Sequence, residues 1–501
     1  MRPSGATLAP RASTAARHAP PLPPAPPSRR PAPCRPHPSA RPATHLRGSP
    51  LPCATPGTGV TAVDLCHSAP GAATPTTTTT PLLPTTGLKS LSLDGLTAWV
   101  ASLGDPHPTA RALQVWRLLY YRDTRSGVGL VADLADAGPG VQGGLGAAFL
   151  ERVAASAPGT TSVDPGLALE TVHTSADGTR KLVFAVTAGP AAGRRVDAVL
   201  IPVVRRAGAR PRLTLCVSSQ AGCAQACSFC LTGAMGLGGN LSAGQIVEQA
   251  AVAKRLLAAE AEEAGGGGRG SGAKERRPPP PPLTNVVFMG QGEPLDNLAA
   301  VSTAASILTH PLGLAFGASK VTVSTVGLIA GMHAFAASHP RVQLALSLHA
   351  TTDAGRAAIM PAAARPGHDL AALTACLRAL FPDGTGRRRH VLIEYLLLAG
   401  VNDTAEDAAR LLGLLEGVAA KVNLLNFNPH EAAVFGRSGA GDAFRRALVE
   451  GGRVCTVRTS RGGDDAMAAC GQLGEPGAGE RVAGARAARL ARGGGVGVAG
   501  V

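Results

Sequence analysis

Residues 212–230 read RLTLCVSSQAGCAQACSFC, and this stretch decides how the rest of the chain is read. Its first half, RLTLCVSS, is a short apolar and β-branched run of the kind that forms a buried strand. Its second half places Cys223, Cys227 and Cys230 in a C-x3-C-x2-C spacing on the loop that directly follows. Three thiolates on one loop can hold three irons of a 4Fe-4S cluster and leave the fourth iron open. An open iron can chelate the amino and carboxylate groups of S-adenosylmethionine and pass one electron to its sulfonium, which gives a 5′-deoxyadenosyl radical. The bound group supplies that chemistry and the protein positions it. The competing reading is a zinc site completed by a fourth ligand such as Cys216. Zinc knuckles pair their cysteines as two C-x2-C units, so the spacing disfavours zinc.

Outward from the cysteines the chain alternates between two periods. After residues 212–219, strand patterns recur at NVVFMG (285–290), KVTVSTVG (320–327), VQLALSLH (342–349), VLIEYLLLAG (391–400) and KVNLLNFN (421–428). Helix-like segments follow them at Ser242–Ala264, Asn297–Leu308, Leu328–Ser338, Asp369–Leu380, Thr404–Ala420 and Gly441–Glu450. Six such repeats imply an α/β fold with a parallel sheet, either open and doubly wound or part of a barrel. In both, ligands bind at the carboxyl ends of the strands. Polar residues stand at those ends: Gly292, Glu293 and Pro294 after the second strand, Ser324 on the third, Ser347-Leu348-His349 on the fourth, Asn428 on the sixth. Singly, each reads as a turn or a cap. Together they mark one rim.

On the amino-terminal side, Leu93, Leu96, Trp99 and Val100, then Leu113, Trp116 and Leu119, recur at helix spacing. LVFAVTAG (182–189) and RRVDAVLIPVV (194–204) predict a hairpin. Residues 1–63 contain no Asp or Glu, while eight Arg fall in the first 47 residues among Ser, Thr, Ala and Pro. That composition is expected of an organellar transit peptide, in a chloroplast or alternatively a mitochondrion. Residues 265–282 (GGGGRGSGAKERRPPPPP) are expected to form a disordered insertion, and the Gly/Ala/Arg-rich tail is expected to be disordered too. The net charge is +15, and residues 1–87, with eight Arg and one Asp, account for +7 of it. The remaining +8 suits a polyanionic partner. No uninterrupted apolar run reaches the roughly 18 residues of a spanning helix, so no membrane association is expected. Cys34, Cys53, Cys66, Cys376 and Cys455 read as structural or incidental.

Taken together, LCVSSQAGCAQACSFCLTG, MGQGEPLDN, VTVSTVG, LALSLHA with IMPAA, IEYLLLAGVND, VNLLNFNP and AACGQLG resemble the RlmN/Cfr family of radical S-adenosylmethionine RNA adenine methyltransferases. The resemblance runs from about Lys89 to Leu473. It implies a partial (β/α)6 barrel with a small helical domain and a β-hairpin before it. It implies Cys223, Cys227 and Cys230 as cluster ligands, and Gly292, Glu293, Ser324, Ser347, Leu348, His349 and Asn428 as the S-adenosylmethionine pocket. It gives two further cysteines a role. Cys470 matches the residue that becomes S-methylcysteine, and Cys216 the resolving residue that forms a disulfide with it. The implied reaction uses two molecules of S-adenosylmethionine. One methylates Cys470; the other yields the radical that activates the S-methyl group for addition to an adenine ring carbon. Asp197 stands where the family carries a Glu, one methylene longer, and is the implied acceptor of the ring proton. The approach to Cys470, RGGDDAMAAC, is one Gly longer than the family pattern.

The implied domains are a leader at 1–86, a helical accessory domain at 87–165, a hairpin extension at 166–211, a radical core at 212–464 and a C-terminal segment at 465–501. The implied substrate is 23S-type ribosomal RNA methylated at adenine carbon 2, with transfer RNA as a second substrate. A low-potential donor such as ferredoxin or flavodoxin would supply the electron, and the protein is expected to be a monomer. Arg205, Arg206, Arg210, Arg212 and Arg387–Arg389 are candidate phosphate contacts. The alternatives are carbon-8 methylation, a radical activase, or a zinc-dependent RNA-binding module.

Overall fold

The computed structural model describes residues 87–120, 134–139, 143–156, 163–203, 210–265, 278–384, 389–430, 434–458 and 467–474. The leader, residues 266–277 of the expected insertion, the tail from 475, and Arg205, Arg206, Arg387 and Arg388 lie outside them, as does most of the approach to Cys470. Three helices come first: α1 (Leu93–Ser102), α2 (Pro108–Tyr120) and α3 (Ala147–Ser156). Strands β1 (Leu167–Thr174), β2 (Arg180–Val186), β3 (Arg195–Val203) and β4 (Arg212–Val217) follow. The cysteine loop lies between two short strands, β5 (Gln220–Gly222) and β6 (Leu237–Asn240), and contains the single turn α4 (Leu231–Ala234). Then come α5 (Ala243–Gly265), β7 (Leu283–Phe288), α6 (Leu298–Thr309), β8 (Val321–Thr325), α7 (Ile329–Ser338), β9 (Gln343–Ser347), α8 (Asp353–Ile359) and α9 (Leu370–Leu380). The chain closes with β10 (Val391–Leu397), α10 (Ala405–Leu414), β11 (Ala420–Asn426), α11 (Gly441–Glu450) and β12 (Val454–Arg458).

One ten-stranded sheet runs in the order β1-β2-β3-β4-β7-β8-β9-β10-β11-β12. From β4 to β12 the strands are parallel, while β1, β2 and β3 add on antiparallel. Side chains from β3 round to β12 line a single cavity, so the sheet is curled into a partial barrel. The central strands are covered on both faces, as parallel strands are: every residue of β10 except half-buried Leu392 is buried. No described helix is long and apolar enough to cross a membrane.

The six strand-helix repeats are present, with three differences of detail. A seventh parallel strand, β12, follows the sixth helix; its outer face is exposed, so its apolar signal is weak. β1 widens the hairpin to three strands, and it too is almost wholly exposed. α10 stops at Leu414, short of Ala420, because Gly417 takes a left-handed conformation (φ 74°) and Ala420 already begins β11. The Pro run at the end of the insertion is described, and Pro282 O accepts the Leu213 N–H at 2.9 Å, next to the start of β4.

The amino-terminal helices are tied to the barrel by a buried ion pair. Lys89 Nζ donates to Glu248 Oε2 on α5 at 2.7 Å, and both side chains are buried. Arg255 also reaches Glu248, at 2.6 Å, while Tyr120 Oη donates to Lys89 O at 2.8 Å. A buried charge stripped of its partner is more costly than the intact pair is favourable. Glu248 keeps only the partly exposed Arg255 in Lys89→Met, which is therefore expected to lower unfolding stability by about 2 kcal/mol, with part of the loss restored in the Lys89→Met/Glu248→Gln double variant. Denaturant titration of the three proteins checks this; equal losses in the single and double variants would contradict it.

Candidate active site

The cysteine loop is shaped by backbone contacts at its base. Cys223 N–H donates to Gly236 O at 2.9 Å, and Cys230 N–H to Cys227 O at 3.1 Å. Ser228 N–H reaches Ile359 O on α8 at 2.9 Å. Gly222, at φ 73°, lies so close beneath the loop that a Cβ there would meet Gly236 O at 1.9 Å. Gln291 ties the next rim loop to this one: its backbone N–H donates to Ser218 Oγ at 2.8 Å and its Oε1 accepts the Gly222 N–H at 3.2 Å.

A second piece of chain comes from the far end of the sequence. Leu231 N–H donates to Gly471 O at 2.9 Å, and Thr232 Oγ1 to Leu473 O at 2.6 Å. Gln472 Nε2 donates to Pro429 O at 2.8 Å, and Gly474 N–H to Asp197 Oδ2 at 3.1 Å. These bonds hold Cys470 against the cysteine loop. Its surroundings are dense with protein, yet the residue is accessible through the barrel cavity. On the other side Cys216 is buried on β4, packed with Ala468 and Leu473 from the same returning segment.

The cavity, of about 320 Å³, is lined by all five of these cysteines: Cys216, Cys223, Cys227, Cys230 and Cys470. Gly292, Glu293, Ser324, Ser347 and His349, expected at the rim, line it too. Leu348 packs into the main core instead. Asn428 stands just beyond, where its Nδ2 donates to Cys470 O at 3.4 Å; its buried Oδ1 makes no hydrogen bond among the described residues. Gly292 has φ 98°, and a Cβ would meet Gln220 at 2.6 Å, so the backbone there approaches as closely as the sequence reading requires.

Burial controls the charge states. It pushes Cys223 and Cys216 up to about 12 each, and raises Cys227 and Cys470 as well. Glu293 is raised to about 7 by burial, although Leu295 N–H and Val326 N–H donate to its two oxygens at 3.0 and 2.8 Å. His349 is lowered to about 3, again by burial, and its Nδ1 accepts the Leu396 N–H at 3.0 Å, which leaves the proton on Nε2. Such a pocket disfavours thiolate and carboxylate unless a cation arrives.

Among the described residues no three Cys, His, Asp or Glu side chains surround a point suited to one metal ion. The three loop cysteines instead share a wall of the cavity, an arrangement that suits a cluster in which each thiolate takes its own iron.

Asp197 does not line the cavity. Its buried carboxylate accepts from Gly474 N–H and from Gln291 Nε2 at 3.4 Å, and Lys181 Nζ lies 3.9 Å away. Of the candidate phosphate contacts, Arg210 is exposed, Arg212 donates to Asn285 and lines the cavity, and Arg389 stacks on Phe381 at 4.9 Å.

Two functional candidates were not visible from spacing. Arg356, on α8, is buried and donates to Leu348 O at 3.2 Å and to Val326 O; its charge draws the Cys227 thiol back down. Glu394, in the middle of β10, projects into the cavity and accepts from Asn423 Nδ2 at 2.8 Å. The available signal was a lone acid in the apolar run VLIEYLLL.

A comparison with protein-family models gives no match. The chain is 38% identical over 389 residues to the dual-specificity RNA methyltransferase RlmN of Geotalea uraniireducens, covering 77% of this chain and 96% of the relative. It is 41% identical over 312 residues to that of Campylobacter fetus, covering 60% and 80%. The crystal structure of a radical SAM methyltransferase from Sphaerobacter thermophilus matches with a TM-score of 0.58 at 34% identity, covering 77% of this chain and 98% of that one.

The loop geometry has a direct test. Gly222→Ala must displace Gly236 O and, with it, the acceptor that holds Cys223. Iron and sulfide bound after anaerobic reconstitution are expected to fall several-fold while the far-ultraviolet circular dichroism stays unchanged. Wild-type iron content in Gly222→Ala would contradict the account.

Proposed function

This chain belongs to the RlmN family of RNA methyltransferases, and we propose that it methylates carbon 2 of an adenine in 23S-type ribosomal RNA by radical chemistry. The observation that carries this reading is the meeting of five thiols in one cavity, with Cys470 clamped beside the cysteine loop and Cys216 on β4 facing the same space. The relatives' dual specificity supports a second RNA substrate, for which transfer RNA is the candidate.

Cys223, Cys227 and Cys230 would hold a 4Fe-4S cluster, and Gly292, Glu293, Ser324, Ser347 and His349 would form the S-adenosylmethionine pocket, with Asn428 at its edge and Leu348 packed behind it. When bound, these groups supply a methyl group and, after one-electron reduction, a 5′-deoxyadenosyl radical. Glu293 offers a buried carboxylate to the ammonium group, His349 Nε2 a proton donor, and Asn428 Oδ1 an unused acceptor. Cys470 carries the methyl group as S-methylcysteine. Cys216 then attacks the Cys470 sulfur, so that a disulfide replaces the bond to the RNA adduct. Asp197, bound to Gly474 N–H, acts in this reading as a positioning residue that fixes where Cys470 stands. A ferredoxin- or flavodoxin-like donor supplies the electron, and the Arg-rich, acid-poor leader directs the protein to the chloroplast.

The two thiols should fail differently. Cys470→Ala removes the methyl carrier, so neither methylated RNA nor a covalent adduct is expected. Cys216→Ala leaves the adduct unresolved, and a nuclease-sensitive, upshifted band is expected on a denaturing gel with labelled RNA. Adduct-free loss of activity in both variants would overturn the assignment.

A further inference from the structure

Methylation of Cys470 releases a proton that needs an acceptor. Cys470 must lose its thiol proton when its sulfur accepts a methyl group, and the residue stands on the wall of the barrel cavity. The cavity wall contains few groups that could receive it. Glu293, whose oxygens accept the Leu295 and Val326 N–H groups, is already assigned to the ammonium group of S-adenosylmethionine. His349 accepts Leu396 N–H at Nδ1 and therefore carries its proton on Nε2. Arg212 and Arg458 are cations. Among the described residues lining the cavity, Glu394 remains.

We infer that Glu394 is the group that takes the proton from the Cys470 thiol, an inference that rests on the S-methylcysteine reading of Cys470. Glu394 stands on the inward face of β10 between Leu392 and Leu396, which line the same cavity. Asn423 Nδ2 holds its Oε2 at 2.8 Å. Asn423 is itself fixed by Thr456 Oγ1, which donates to its Oδ1 at 2.9 Å. This chain across β10, β11 and β12 orients one carboxylate oxygen. Glu394 and Cys470 line the same cavity. The groups that face it are Arg458, which favours its ionised form, and Cys470. Burial brings the carboxyl to about 7, a value suited to accepting a proton near neutrality.

The step balances without a further reactant. The S–H bond of Cys470 breaks, its proton goes to the Glu394 carboxylate, and its electron pair forms the new bond to the methyl carbon. The bond between that carbon and the sulfonium of S-adenosylmethionine breaks, and its pair returns to sulfur as the neutral thioether of S-adenosylhomocysteine.

The sign of the effect separates a proton acceptor from a mere neighbour. If Glu394 acted on Cys470 only through its charge, removing that charge would favour the thiolate and speed methylation. If it takes the proton, Glu394→Gln should slow methylation by about 100-fold. The variant keeps an oxygen to accept from Asn423, so the strand contacts persist. The experiment follows the mass of the Cys470 peptide in reconstituted, RNA-free holoenzyme mixed with S-adenosylmethionine, over pH 5.5–9, with iron content measured alongside. In the wild type the S-methyl mass is expected to appear faster as pH rises through about 7. Glu394→Gln should lose both the rate and that pH dependence, and Glu394→Asp should retain most of each. A rate in Glu394→Gln equal to or above wild type overturns the inference, as does equal loss in Glu394→Gln and Glu394→Asp. Absence of an S-methyl group in the wild type overturns the S-methylcysteine reading itself.

Discussion

Residues 471–474 return to the cysteine loop from the other end of the core, and the site exists only where that return is made. Thr232 and Leu473 are 241 positions apart, and Asp197 and Gly474 are 277 apart, yet each pair shares a hydrogen bond. A neutral hydrogen bond contributes about 1 kcal/mol net, so none of these holds the segment alone. Ala468, Ala469 and Leu473 add buried apolar surface, and Gln472 satisfies Pro429 O on the opposite rim. The parallel sheet matters to function because it gives these distant pieces a common wall.

That wall encloses a space where charge is expensive. Burial holds Cys216 on β4, Cys223 and Cys227 on the loop and Cys470 on the returning segment towards their neutral forms, as it does Glu293 and Glu394, while His349 is kept uncharged. The same low polarity strengthens any attraction between a buried anion and an arriving cation. A cation brought into such a site would have to displace the protons that burial retains there. Arg356, buried beside the loop, is the protein's own contribution of that sign.

The parts of the fold that were legible in the sequence are those buried on both faces. β10 and β11 read as strands because their apolar runs serve the helix side and the barrel side together. β1 and β12 escaped a pattern reading because each lies at an end of the sheet order with an exposed face that permits polar residues. In the site, the C-x3-C-x2-C spacing marked the loop as a candidate ligand loop from the sequence alone. Cys216 and Cys470 were not marked in this way, since only tertiary contacts bring them near it. Glu394 was hidden for a third reason: within a strand, nothing in the sequence says which face is the core and which is the cavity. Asp197 was marked by its place in a motif, and its bond to Gly474 could be seen only in three dimensions.

The central claim is that the methyl group reaches RNA by way of Cys470 and not in one displacement. Reaction with S-adenosylmethionine bearing a trideuterated methyl group tests it most directly, read by mass spectrometry of the adenosines released from the RNA. Passage through an activated S-methyl group removes one deuterium, so the account predicts 2-methyladenosine with two deuteriums in its methyl group and the third in 5′-deoxyadenosine. A methyl group transferred with all three deuteriums would contradict it.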